Sequence, residues 1–261
     1  MIETKEHTFV ICAYKESKYL EECIESLEKQ TIKSNIIMVT STPNEYIKKI
    51  ASKHKLELYI NNGKKGIGED WNFGVSKTTT KYVTIAHQDD IYYSCYLEEI
   101  LKKIKEDSDF IILFGNYREI KNGSIIPLTL NLKIKKILLH KLKKDGKKKS
   151  SKRFALKFGS AICCPCVTIN TETTGKNPYK TEMKCNLDWY TWYEFSKLPY
   201  AFGYIDKELM CHRIHEESET SNLIKNNIRL EEDYEMFKKF WPKPIAKILM
   251  FFYKNAIKTN S

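Results

Sequence analysis

Apolar positions in the amino-terminal part of the chain alternate between two rhythms. Phe9-Val-Ile-Cys-Ala13 is an unbroken run that predicts a buried strand, after which Tyr19, Leu20, Cys23, Ile24 and Leu27 recur at helical spacing behind Ser17, a residue type that caps helices. Asn35 to Thr40 is a second strand-like run, Glu45 to Lys53 is helix-like, and Leu56 to Ile60 is a third short strand. Asn61 to Gly68 carries three glycines and reads as a turn. A helical stretch from about Glu69 to Ser76 follows, then an apolar run from Tyr82 that stops at His87-Gln88-Asp89-Asp90. Four strands alternating with helices predict an α/β fold with a mostly parallel, doubly wound sheet flanked by helices.

Beyond this point the rhythm loosens. The pattern predicts a helix from about Ser94 to Glu106, a strand over Phe110 to Tyr117, a strand over Ala161 to Ile169, a helix over Asp188 to Ser196, and a strand over Ala201 to Met210 leading into His212-Arg-Ile-His215. The tail from Asn222 to Asn255 reads as two helices separated at Pro242 and Pro244. No internal repeat is visible.

The strand ending at Asp89 delivers its last side chains to the carboxyl edge of a sheet, where open α/β folds bind ligands. Two carboxylates and an imidazole there suit a divalent ion, Mn²⁺ or Mg²⁺, held against substrate phosphates. The same aspartates can instead start a turn or cap the next helix.

Composition narrows the setting. At 261 residues the chain can bury a full core, and its 8 scattered cysteines form no disulfide framework, which points to a reducing cytoplasm. The polar start, Met1 to His7, lacks a secretory apolar stretch, and Ile248 to Tyr253 is too short to span a bilayer. Of the net charge of +11, Lys133 to Arg153 supplies +10, from 11 Lys or Arg and one Asp. A uniformly basic, nucleic-acid-binding surface is therefore disfavoured.

Four segments, in order, resemble the inverting family 2 glycosyltransferases of GT-A fold. They are Val10-Ile-Cys-Ala-Tyr14-Lys-Glu16 with Tyr19 to Leu27 and Gln30-Thr31; Asn62-Gly63 through Asp70-Trp-Asn72-Phe-Gly74; His87-Gln88-Asp89-Asp90; and Asp188-Trp189 with His212-Arg-Ile-His215-Glu-Glu-Ser-Glu-Thr220. The resemblance spans about residues 9 to 221 and extends to the type that builds bacterial surface polysaccharides. It implies a catalytic domain over 1–221, divided into a nucleotide-sugar half (1–118), a basic insertion (119–158) and an acceptor and base half (159–221), followed by a helical, membrane-associating extension (222–261).

The roles it implies are specific. Asp89 is the expected metal ligand, joined by His215 and Asp90, while His87 stands where the family has the first aspartate of its motif. Ala13, Tyr14, Glu16, Thr40, Asn72, His87 and Gln88 are expected to line the nucleotide sugar, with Tyr14 on the base. Asp188 matches the general base that takes the acceptor proton, and neighbouring Trp189 and Trp192 either desolvate it, stack on sugar, or belong to the core. The family's acidic pair after the second strand is replaced by Val39-Thr40-Ser41-Thr42-Pro43, so base recognition would rest on hydroxyls, and Trp71 replaces an arginine whose charge Lys64 or Lys65 would supply. The implied reaction transfers a sugar from a UDP-sugar to a hydroxyl of a glycan or lipid-linked glycan. Alternatives are a sugar-phosphate nucleotidyltransferase and a non-catalytic module binding membrane or nucleic acid on a degenerate fold.

Two further patterns carry weight. Cys163-Cys164-Pro165-Cys166 contains one Cys-x-x-Cys, which with Cys185 and Cys211 would make a zinc site, but the second short pair is missing and buried thiols fit better. In the basic segment Ile134, Ile137, Leu138 and Leu142 are expected on one helical face and lysines elsewhere, an arrangement for lying on anionic lipid. The carboxyl-terminal helix repeats it, with Lys243, Lys247, Lys254 and Lys258 on one face and Ile245, Ile248, Leu249 and Phe252 on another. A solvated lysine-rich loop is the competing account.

Overall fold

The computed structural model describes residues 2–106, 109–215 and 228–260, with side chains over 4–106, 109–215 and 228–251. Strands β1 (Ile2–Cys12), β2 (Ile32–Thr40), β3 (Glu57–Ile60) and β4 (Tyr82–His87) alternate with helices α1 (Leu20–Glu28), α2 (Glu45–Lys53) and α3 (Ile67–Ser76). They lie side by side in the order β3-β2-β1-β4, every pair parallel. The reason is visible in burial: Phe9, Val10 and Ile11 are shielded on both faces, as a central parallel strand requires. Helix α1 turns Leu20, Cys23, Ile24 and Leu27 inward, and Asn44 caps α2 by accepting from the Ile47 amide at 2.8 Å. Ser17 does not cap α1. Its Oγ accepts from the Tyr19 amide at 3.3 Å, and the helix starts at Leu20 without a side-chain cap.

The second half adds β5 (Ile91–Tyr92), α4 (Tyr96–Glu106), β6 (Phe110–Lys121), β7 (Ser124–Ile125), three short helices α5 (Leu130–His140), α6 (Leu142–Asp145) and α7 (Lys149–Leu156), a 3₁₀ turn (Cys164–Cys166), β8 (Val167–Asn170), α8 (Thr171–Thr174), α9 (Leu187–Phe195) and β9 (Ala201–Ile214). The sheet continues from β4 as β8-β6-β9-β5, with β7 paired to β6. β8 runs antiparallel to both β4 and β6, while β6 and β9 are parallel. The strand expected from Ala161 begins only at Val167, because Pro165 sits within the 3₁₀ turn. Where β6 and β9 pair, the register slips between Gly115 and Asn116, and β9 bulges outward at Asp206 and Lys207. A side chain at Gly115 would collide with Leu209, its Cβ falling 2.5 Å from the Leu209 Cδ1, so the bend needs glycine there. The bend carries the end of β9 across to β5, beside Asp89 and Asp90.

Helices α10 (Ile228–Phe240) and α11 (Lys243–Asn260) close the described chain, divided at Pro242 as the sequence predicts. Met236, Phe237 and Ala246 are part of the same apolar cluster as Trp189 and Trp192, so α10 is docked on the body through a Trp189–Phe237 edge contact at 5.4 Å. Residues 222–227, where the sequence predicts the start of the first of these helices, and the side chains of Phe252, Lys254 and Lys258 lie outside the described residues. Among the described residues no helix is long and apolar enough to cross a membrane.

In the basic insertion the apolar face differs from expectation. Leu132, Leu139 and Leu142 are buried, whereas Ile134 and Ile137, with Leu130, are exposed. Helix α5 thus has two apolar stripes on opposite sides, and a new helix starts at Leu142, which resets the phase.

Candidate functional site

The carboxyl ends of β1, β2 and β4 open onto one edge. Ala13 is buried and its amide donates to Val39 O at 2.9 Å, which turns the next residues outward. Tyr14 emerges 46% exposed, and the Gln88 side-chain amide clamps its backbone from both sides, accepting from the Tyr14 N–H and donating to the Tyr14 carbonyl at 3.0 Å each. Lys15 takes a left-handed conformation (φ 54°) and donates its amide to Thr42 Oγ1 at 2.7 Å. Glu16 is exposed on the same loop. Gln88 is therefore the brace of a loop that presents an aromatic ring to solvent.

The hydroxyls expected to read a base are largely engaged within the protein. Thr40 Oγ1 accepts from the Thr42 amide at 3.0 Å, and Ser41 Oγ donates to Asp70 Oδ2 at 2.6 Å. Asp70 Oδ1 accepts from Asn61 Nδ2 at 2.7 Å. A carboxylate thus stands at the ends of β2 and β3 after all, contributed by α3, and reading the strands alone misses it. Asn72 uses both ends of its amide on the Tyr179 backbone, at 2.8 and 2.9 Å, tying α3 to the loop before α9. Lys64 and Lys65 are exposed.

At the end of β4 the donor atoms of His87, Asp89 and Asp90 all lie within 4.8 Å of one another. The His87 ring is stacked on Trp71 at 5.2 Å, and its Nε2 has no hydrogen-bond partner among the described residues. Burial pushes its pKa down, which keeps the imidazole neutral and able to ligate. Asp89 Oδ2 pairs with His215 Nε2 at 2.8 Å. Burial alone would raise the Asp89 pKa, but that hydrogen bond and the electrostatic pull of the surrounding imidazoles outweigh it and hold the carboxyl below its usual range. Asp90 is completely buried. Its Oδ1 accepts from the Arg213 amide at 2.8 Å and meets His212 Nδ1 at 3.0 Å, while Oδ2 is unpartnered among the described residues. Burial disfavours the His212 cation, yet the Asp90 charge and hydrogen bond and the charge of Asp89 push its pKa up to about 9.

Arg213 locks this corner. It donates Nε to Asp89 O at 2.8 Å and Nη2 to Glu22 at 2.6 Å, and lies over the Tyr19 ring at 4.2 Å. An unpartnered imidazole nitrogen, an unpartnered buried carboxylate oxygen and a further carboxylate fit a divalent ion with oxygen and nitrogen ligands. The expected loop residues Glu216 to Thr220 lie outside the described residues.

Asp188 is in the first turn of α9 and accepts a long hydrogen bond from Ser160 Oγ at 3.4 Å. Burial raises its pKa; the Trp189 amide and the charges of Arg229 and Lys135 oppose this without cancelling it. Trp189 and Trp192 are fully buried core residues, which removes them as sugar platforms. The segment before α9 is held from a distant element: Glu232 of α10 accepts from the amides of Lys184, Cys185 and Asn186 at 2.7, 2.8 and 2.9 Å. Sequence reading misses this clamp, since its two halves are remote along the chain. All eight cysteines are free, and among the described residues the metal-ligand cluster contains none of them, so the zinc alternative falls away.

The fold and this edge define an α/β glycosyltransferase of GT-A type. The family model described as glycosyl transferase family 2 matches residues 8–174, and the chain belongs to that family. It is 28% identical over 215 residues to an uncharacterized glycosyltransferase of Methanocaldococcus jannaschii, covering 78% of this chain and 69% of that protein. It is also 30% identical over 115 residues to the glycosyltransferase GlyG of Streptococcus pneumoniae, covering 41% of this chain and only 38% of the relative. Among solved structures, TarS of S. aureus with UDP-GlcNAc matches at a TM-score of 0.59 and 16% identity, over 94% of this chain and 70% of that one. The mannosyltransferase PcManGT of Pyrobaculum calidifontis, with GDP-Man and Mn²⁺, matches at 0.63 and 14%, over 94% and 68%.

Proposed function

We propose that this glycosyltransferase moves a sugar from a nucleotide sugar to an acceptor hydroxyl with inversion, dependent on a divalent cation, Mn²⁺ or Mg²⁺. The observation that carries the reading is the cluster of His87, Asp89 and Asp90, with His215 against Asp89, at the strand edge that also presents Tyr14. Asp89, Asp90 and His215 would hold the ion, which when bound supplies charge neutralisation for a departing diphosphate. The chain's own residues do the rest. Tyr14 stacks on the base, with Ala13, Glu16 and Thr40 around the nucleotide, and Gln88 and Asn72 hold the loops that enclose it. His87, kept neutral, completes the ligand set or contacts the ribose.

Asp188, its pKa raised by burial, takes the proton from the acceptor hydroxyl as that oxygen attacks the anomeric carbon. The donor is expected to be a UDP-sugar; the solved relatives were captured with UDP-GlcNAc and GDP-Man, so both bases belong in the test. The acceptor is a glycan or a lipid-linked glycan of the kind assembled into surface polysaccharide at the cytoplasmic leaflet, and the basic elements rest on that anionic surface. In this reading residues 1–118 bind the donor, 119–158 form the basic insertion, 159–221 supply the base and acceptor side, and 222–261 the helical extension.

Calorimetric titration with nucleotides and nucleotide sugars, with and without Mn²⁺, tests the donor site. Metal-dependent binding of one nucleoside diphosphate, lost in Asp89→Ala, is expected. Absence of binding by any nucleotide would sink the proposal and favour a non-catalytic module.

A further inference from the structure

The basic insertion is not a uniform arm, because most of its charges have ordinary uses. Lys136 and Lys143 pair with Asp206, each at 3.1 Å, and Lys148 with Asp145 at 2.8 Å. Lys147 pairs with Asp109. Lys152 is buried and ties down the Leu198 and Tyr200 carbonyls at 2.6 and 2.8 Å, and Arg153 lies over the Phe240 ring at 5.0 Å.

Lys135 has no such use. It leaves α5 on the same side as buried Leu132 and Leu139 and donates from Nζ to the Tyr117 hydroxyl at 2.9 Å. Among the described residues no carboxylate lies within ion-pair distance of it. Burial pushes its pKa down; the charges of Cys163, Glu119 and Asp188 oppose this without cancelling it. A desolvated cation whose opposite charges lie beyond direct contact is costly unless a ligand brings one closer.

Its position says which ligand. Lys135 borders a cavity of about 30 Å³ shared with Asn116, Tyr117, Lys136 and Ala161, and with Glu208, whose carboxylate is taken up by Arg118 at 3.6 Å. On one side the Tyr117 ring meets His212 at 6.2 Å, and His212 holds Asp90. On the other, Ala161 follows Ser160, whose hydroxyl reaches Asp188. Lys135 therefore stands between the carboxylates at the end of β4 and the candidate base.

We infer that Lys135, with the Tyr117 hydroxyl, binds a phosphoryl group of the acceptor next to the hydroxyl that is glycosylated, so that this enzyme takes a phosphate-bearing acceptor. The inference rests on the reading of Asp188 as the acceptor-side base. A phosphoryl group offers several acceptor oxygens, enough to engage the ammonium and the phenol together. Lys135 and Tyr117 thus select the acceptor, while the groups at Asp89 serve the donor.

The test uses the full chain, metal-free, titrated with methyl phosphate and with dodecyl phosphate and followed by nuclear magnetic resonance. Saturable binding of the phosphate esters to wild type, weakened about tenfold or more in Lys135→Met and kept in Lys135→Arg, is the expected result. A clear preference for the dodecyl ester marks a lipid-linked phosphate, and equal affinities a phosphorylated glycan; either supports the inference. Wild-type protein that binds neither ester, or Lys135→Met binding both as well as wild type does, overturns it. A second titration, of nucleoside diphosphate with Mn²⁺, separates this idea from the donor reading. Equal nucleotide affinity in wild type and Lys135→Met is expected. Loss of nucleotide binding in the variant would place Lys135 on the donor and overturn the acceptor role, whereas failure of wild type to bind any nucleotide would strike the transfer reading alone.

Discussion

Single side chains at the strand edge can be tested without disturbing the fold. Asp188→Asn keeps shape and hydrogen bonding but cannot take a proton, so kcat should fall about 10²–10⁴-fold with donor affinity unchanged. Because burial raises the Asp188 pKa, the acid limb of the wild-type kcat/KM profile should lie above the ordinary carboxylate range. Assay of the variant beside the wild-type pH profile checks both, and a fully active variant would dismiss Asp188 as base. Farther from the site, His7 is completely buried between Ser34 Oγ and Thr84 Oγ1, each at 2.9 Å, and desolvation lowers its pKa to about 3. The unfolded chain takes up this proton near pH 6.5 and the folded chain does not. The stability His7 contributes is thus present above pH 6.5 and lost as pH falls toward 3, at about 1.4 kcal/mol per pH unit. Urea denaturation between neutral and mildly acidic pH should show a shallower loss in His7→Gln than in wild type.

At the scale of elements, what the sequence made legible was whatever is carried by one segment's own pattern. The strands and helices from Phe9 to His87 follow from unbroken apolar runs and helical spacing, and the strand-end cluster at Asp89 follows from where one run stops. What escaped depends on partners elsewhere. β5 is two residues long and exists only because β9 bends over to it, Asp70 enters the β2 edge from α3, and the two apolar stripes of α5 look alike until the body covers one. Glu232 gathers three backbone amides ahead of α9, and the Asn186 side chain donates to buried Asp233 at 2.7 Å, so α10 sets where Asp188 points. Glu232→Gln keeps the size but removes the charge that makes these bonds strong. Its kcat should fall while nucleotide affinity stays at the wild-type level. A parallel loss of both would mean that α10 merely supports the fold.

At the scale of the whole molecule, charge and exposed apolar surface are distributed unevenly. The body is near neutral, and within the insertion Lys133 to Arg153 adds +10 beside the outward stripe of Leu130, Ile134 and Ile137. A chain of cation–ring contacts links this insertion to the carboxyl-terminal helices: Lys141 lies over Phe154 at 5.7 Å, and Lys157 is within 5.0 Å of the rings of Phe154, Phe158 and Trp241. Beyond Trp241, α11 exposes Ile245, Ile248 and Phe251. Isolated apolar residues on a surface mean little, but stripes flanked by lysines on two joined elements match what anionic lipid headgroups attract, at about 1 kcal/mol per lysine near the surface. The protein should therefore sediment with vesicles containing phosphatidylglycerol and remain in solution with purely zwitterionic ones. Raised salt should weaken the association, because exposed charges are screened. Ile134→Asp with Ile137→Asp should weaken it further, by removing apolar insertion while leaving every lysine in place and nucleotide binding intact. Vesicle binding that survives this double change would assign the attraction to charge alone, and no binding to anionic vesicles by wild type would leave the basic insertion with only the inward-facing role of Lys135.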